Sequence, residues 1–122
     1  MAAPNLVNVT SIYGKTMGAS LGTSNTNMLI CASDKVYKVN SIIVSNVDGT
    51  NAFNATVVFY NHDDTSNYHI AKLVTVPAGT TLVVLGKDSP IYLEESDKIT
   101  AYASAASDGQ IVISYEEMDD AY

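Results

Sequence analysis

Apolar and polar residues alternate in short runs along most of this chain. The runs fall at 27–32, 36–46, 52–61, 68–76, 80–85, 90–93, 98–104 and 110–117. Gly, Asn, Asp or Pro separates them, and β-branched and aromatic residues fill them, which is the rhythm of an all-β sandwich or barrel. In Phe53-Asn-Ala-Thr-Val-Val-Phe59 the residues Phe53, Ala55, Val57 and Phe59 share one face, so that face is expected to be core and the face of Asn54 and Thr56 wet. Ile99, Ala101 and Ala103, and again Ile111, Ile113 and Tyr115, repeat the two-residue period, and the alanines imply close approach of a facing sheet. No segment has the 3.6-residue period of an amphipathic helix. The pattern therefore predicts an all-β fold, an antiparallel β-sandwich of about eight strands, with jelly-roll and Ig-like strand orders both open.

Two ends depart from the rhythm. Residues 1–26 are rich in Ala, Asn, Gly, Ser and Thr around one alternating run, Leu6–Ile12, and carry Gly14, Gly18 and Gly22. This stretch reads as an extended N-terminal arm with too little apolar surface to fold alone. It must lie on the domain, lie on a neighbouring subunit or stay mobile. Removing residues 1–20 is then expected to leave the domain folded. Residues 27–117 form the sandwich domain, and residues 118–122 an acidic C-terminal tail. Between strands, Asp48-Gly49 reads as a hairpin turn with positive φ, and Pro77-Ala-Gly79 and Asp108-Gly109 as similar punctuation.

Charge narrows the job. The 122 residues hold 13 Asp and Glu against six Lys and no Arg, a formal net charge of −7, and charged residues make up only 16%. Without guanidinium forks such a surface has poor means of gripping phosphates, so nucleic acid is not the expected partner, and an anionic membrane would repel it. Met1-Ala-Ala-Pro lacks the basic start and apolar core of a signal peptide, and no window approaches the length of a membrane span, so a soluble protein made without export signals is expected. Cys31, the one cysteine, sits in the apolar run Met28–Ala32 and reads as an inert buried thiol.

Candidate chemistry is sparse. His62, Asp63, Asp64 and His69 offer two imidazoles and two carboxylates within eight residues, but the segment reads as an exposed loop and His69 as part of a strand, so no metal site is expected. Glu94-Glu95, Glu116-Glu117 and Asp119-Asp120 are adjacent pairs, and neighbours on a strand face opposite sides, so they read as solvated strand ends rather than acid and base. No nucleophile motif, P-loop, dinucleotide fingerprint or Cys-x-x-Cys occurs. Catalytic, cofactor-binding and metal residues are therefore all expected to be none. Eight Tyr against two Phe and no Trp suit half-wet sheet faces and subunit interfaces; a sugar-binding platform is the alternative reading.

Four segments carry a family resemblance: Lys38–Thr50, Val76-Pro-Ala-Gly-Thr-Thr-Leu-Val-Val84, Pro90-Ile-Tyr-Leu-Glu-Glu-Ser-Asp-Lys-Ile99 and Ile113-Ser-Tyr-Glu-Glu117. Together they resemble small virion structural proteins of tailed bacteriophages, particularly those of marine and cyanobacterial hosts. Within them, Leu93-x-x-Ser96-Asp97-x-Ile99 is similar to a Leu-x-x-Gly-Asp-x-Ile pattern found ahead of sandwich strands, with Ser96 in place of the Gly. The resemblance implies a β-sandwich subunit of the virion, made in the host cytoplasm. It most plausibly implies a head decoration or cement protein on the outside of the major capsid shell, homo-oligomeric and often trimeric, with no catalytic residues to carry over. A neck, tail or fibre component, or a carbohydrate-binding sandwich module, is the alternative.

Overall fold

The alternating runs become nine strands in the computed structural model, which describes residues 11–119. They are β1 (Ser11–Leu21), β2 (Thr26–Ile30), β3 (Lys35–Asn46), β4 (Phe53–Asn61), β5 (Ser66–Val76), β6 (Thr81–Leu85), β7 (Ile91–Leu93), β8 (Lys98–Ala103) and β9 (Gly109–Asp119). All eight runs read from the sequence are strands, and the ninth is β1. One sheet has the order β1-β9-β3-β6, with β7 also paired to β3, and the other has the order β2-β8-β4-β5. Every pairing is antiparallel.

This order decides between the two open topologies. Strand β1 pairs with β9, β2 with β8, β3 with β6 and β7, and β4 with β5, as in one long antiparallel ribbon folded at β4–β5. Wound around itself, that ribbon puts alternate pairs in opposite sheets and makes β9 a neighbour of β3 and β8 a neighbour of β4. Such winding is the eight-stranded jelly roll, with its sixth strand broken here into β6 and β7 by the Gly86–Pro90 turn.

The core lies between the inner faces, where Val39, Ile42, Val44, Ile111 and Ile113 of one sheet meet Ala55, Val57, Ile99 and Ala101 of the other, all without solvent exposure. Each of the buried Val and Ile side chains contributes about 1.5–3 kcal/mol. Phe53 reaches across to β9, where a Cβ on Gly109 would stand 2.7 Å from the ring. The expected wet face of β4 is only partly wet: Thr56 is fully buried and Val58 nearly so, because β5 bulges over them. At that bulge Leu73 has φ 52° and its N–H donates to Thr56 Oγ1 at 3.1 Å. Phe59 is packed against the core but only half-buried, its ring stacked on Tyr68.

Several sequence expectations are corrected. Of the expected extended arm, residues 11–21 lie on the domain as an edge strand, continuously paired from Ser11–Asp119 to Leu21–Gly109, with Leu21 in the core. Residues 1–10 lie outside the described residues. Met118 and Asp119 extend β9 instead of starting a tail, and residues 120–122 are outside the description. Asp48-Gly49 does not close a hairpin, since β3 and β4 belong to different sheets and the loop is a crossover. Asn46 secures it, donating from Nδ2 to the carbonyls of Asn51 and Val76, both at 2.9 Å. Positive φ falls on Ser107 rather than on Gly109, and among the glycines on Gly79.

Candidate functional site

Two connections at one end of the sandwich form the described cavity. The β4–β5 turn runs from His62 to Thr65, and the β7–β8 turn from Glu94 to Asp97. Asp97 joins them: its Oδ1 accepts the His62 N–H and its Oδ2 the Glu94 N–H, each at 2.9 Å. Ser96 takes the left-handed conformation, φ 71°, that the Gly of the resembled pattern would supply without strain. Its N–H donates to the Cys31 carbonyl, and the Cys31 N–H donates to the Asp97 carbonyl, both at 3.0 Å, so β2 is stitched to the same turn.

Between the turns is a half-open cleft of about 220 Å³ lined by His62, Asp63, Glu95 and Ser96. Burial, with the Asp63 and Asp97 charges nearby, raises the Glu94 carboxyl above its usual range. The four residues His62, Asp63, Asp64 and His69 are dispersed by the fold. His62 and Asp63 line the cleft, whereas Asp64 accepts the Tyr68 hydroxyl at 2.7 Å and the Ser66 N–H at 3.0 Å. His69 sits on β5 opposite Val58. Among the described residues no group of three His, Cys, Asp or Glu side chains is placed to hold a metal ion.

The ionic centre lies elsewhere and was not foreseen. Glu117, read from the sequence as a solvated strand end, is buried on β9 and accepts Lys15 Nζ of β1 at 3.1 Å and Lys35 Nζ of β3 at 3.4 Å. Lys35 also pairs with Asp119, whose other oxygen accepts the Ser11 hydroxyl at 2.9 Å. Burial works to raise the Glu117 carboxyl, but the hydrogen bonds from Lys15 and Lys35 outweigh it and hold it below the ordinary range. Lys35 and Ser11 do the same for Asp119. The lysines come from positions 15 and 35, so only strand pairing brings them to residue 117; no local signal announces the cluster. It ties three strands together.

The tyrosines are spread over the molecule. Tyr37 and Tyr115 pack together at 5.0 Å between ring centres, and burial pushes the Tyr37 hydroxyl up to about 12. Lys98 lies over the Tyr60 ring, 5.0 Å from its centre, while Tyr13, Tyr68 and Tyr92 are exposed on three different strands. Tyr122 is outside the described residues.

No family model and no curated protein matches the sequence. Solved structures do match. A chain from the disulfide-linked pili of Bacillus endospore appendages aligns over 98% of this chain and 97% of its own, with TM-score 0.56 and 14% identity. A chain from the acid-stable capsid of Helicobacter pylori bacteriophage KHP30 aligns over 90% and 89%, with TM-score 0.51 and 12% identity. What is shared is the fold. A pentameric capsid protein from metagenomic phage sequences aligns over 98% and 68% at TM-score 0.39 and 14% identity, too distant for its assembly to inform this one. Both of these likenesses extend over 90% or more of this chain, one to a chain of a pilus and one to a chain of a capsid.

Proposed function

We propose that this chain is a non-enzymatic structural subunit of a tailed-phage virion, a decoration or cement protein bound to the outer surface of the major capsid shell. The observation that carries the reading is the jelly-roll likeness, over 90% of this chain, to a phage capsid chain, joined to the sequence resemblance to tailed-phage virion proteins. Since one fold hosts many jobs, the surface chemistry matters too. An Arg-free chain of net charge −7 suits a shell's exterior better than its DNA-facing lumen. The cleft supplies no arrangement of nucleophile, base or metal that favours catalysis.

The pilus likeness supports a second reading, a fibre subunit, but one feature weighs against the disulfide-linked kind. A disulfide-linked polymer needs at least two thiols per link-forming chain, and this chain has Cys31 alone, buried, with burial pushing its thiol up to about 12. A homo-oligomer is expected, a trimer foremost. The test is to locate and count the protein on purified particles and to compare capsids assembled with and without it. Many copies over the head, with heat resistance lost in their absence, is the expected result. A few copies at one vertex would move it to the neck or tail, and equal heat resistance would end the cement role.

A further inference from the structure

The two sheets leave two long strands at their margins, and the chain treats them differently. Strand β5 is interrupted: its register against β4 shifts twice, Leu73 is turned to positive φ, and Lys72 sits at the bulge. Bulges and lysines are the usual means by which a sheet edge is made unfit for further pairing. Strand β1 has neither defence. Its eleven residues keep an unbroken register with β9, contain no Pro, and place no residue at positive φ. Its one charged side chain, Lys15, is drawn to Glu117 at 3.1 Å instead of standing guard at the edge. The other margins, β2, β6 and β7, are five residues or fewer.

At about 3.4 Å per residue, β1 presents some 35 Å of backbone, and among the described residues no strand pairs with its outer side. Two further features indicate what fits there. Ile12 and Tyr13 are 60% and 51% exposed on this same strand, apolar surface that an added strand would cover. Residues 11–21 contain no carboxylate although the chain carries 13, and the rows beside Thr16 and Gly18 on the outer sheet face, Ser114 and Ser41, then Val112, Ile43 and Val83, are uncharged as well; the row beside Gly14 holds Glu116, paired with Lys38 at 3.9 Å. Two copies of a chain with net charge −7 repel wherever their acids meet. They can approach closely where acids are absent, and an antiparallel strand is its own partner under a two-fold axis.

We infer that β1 is a self-assembly edge, pairing antiparallel with β1 of a second copy so that two sheets become one continuous sheet across a two-fold axis centred near Thr16. This concerns how copies join and does not depend on the virion reading. A two-fold contact cannot close a three-fold ring, so in a particle it would link copies of neighbouring rings.

The test uses the full chain, with Cys31 left in place because it is buried. Gly14→Cys, Thr16→Cys and Gly18→Cys are made singly, with Val83→Cys on β6 as control, and mildly oxidised. One of the three is expected to form a disulfide dimer in high yield and the control is not. No cross-linking above the control in any of the three overturns the proposal. Thr16→Lys sets two ammonium groups face to face at the axis and is expected to weaken association by about tenfold or more, with an unchanged melting profile at concentrations where both proteins are monomeric. Unaltered sedimentation of a folded Thr16→Lys protein also overturns it. Amide hydrogen exchange separates the remaining occupant: the outward N–H groups of β1 should gain protection as concentration rises. Protection that is independent of concentration means that residues 1–10 or another segment of the same chain covers the edge, and the proposal fails.

Discussion

Gly109 matters for what it lacks. Its φ is not in the left-handed region, so no turn demands a glycine; the Phe53 ring does, standing where a Cβ would go, with Leu21 Cδ1 at 3.1 Å on another side. Gly109→Ala is therefore expected to destabilise by about 1–3 kcal/mol through overpacking, measured as a lower urea midpoint at unchanged slope. Ser96 is the opposite case. A side chain at φ 71° is strained, and Ser96→Gly should stabilise by about 0.5–1 kcal/mol; a fall in melting temperature would contradict this. Asp97→Ala leaves the His62 and Glu94 N–H groups without their carboxylate and should cost about 1.5–3 kcal/mol. The pattern Leu93-x-x-Ser96-Asp97-x-Ile99 pointed to this turn from sequence. The role of Gly109 could not be read there, because Phe53 is far away along the chain.

At the level of strands, local alternation was enough to find eight elements and not enough to find β1. An edge strand buries one end only: Leu21, Ala19 and Met17 pack inward, while Ser11 to Thr16 owe their order to β9, about a hundred residues away. The crossover at Asn46–Asn51 is hidden from the sequence for a related reason, since Asp-Gly signals a bend but not which sheet the chain enters next. The ion cluster at this edge makes an acid-sensitive clasp. Glu117 and Asp119 have folded values held below their unfolded ones, so the unfolded chain binds more protons as pH falls. Their contribution is fully present above the ordinary carboxylate range and is lost as pH falls from that range through their lowered folded values. Lys35→Met should accordingly lower stability at pH 7 and make little difference near pH 2, a comparison made by thermal melts at both values.

For the molecule as a whole, the jelly-roll winding makes the first and last strands neighbours, so the N-terminal region is structural. Deleting residues 1–21 removes β1 and leaves β9 without its outer partner; loss of cooperative unfolding is expected, the reverse of what the composition of that stretch suggests. A cooperative transition of wild-type midpoint in the truncated protein would show that β1 is dispensable. The all-β class was legible because burial between two sheets writes a two-residue period into every run. Strand order was not, because the same periods serve jelly-roll and Ig-like windings alike. The sealed thiol of Cys31 has a practical consequence for following this architecture in solution. Held between the Ser96–Asp97 turn and the start of β3, it has no reason to react while the sandwich is closed. Its rate of modification by a thiol reagent becomes a clock for opening, readable without any substitution, and able to report how often the sandwich breathes.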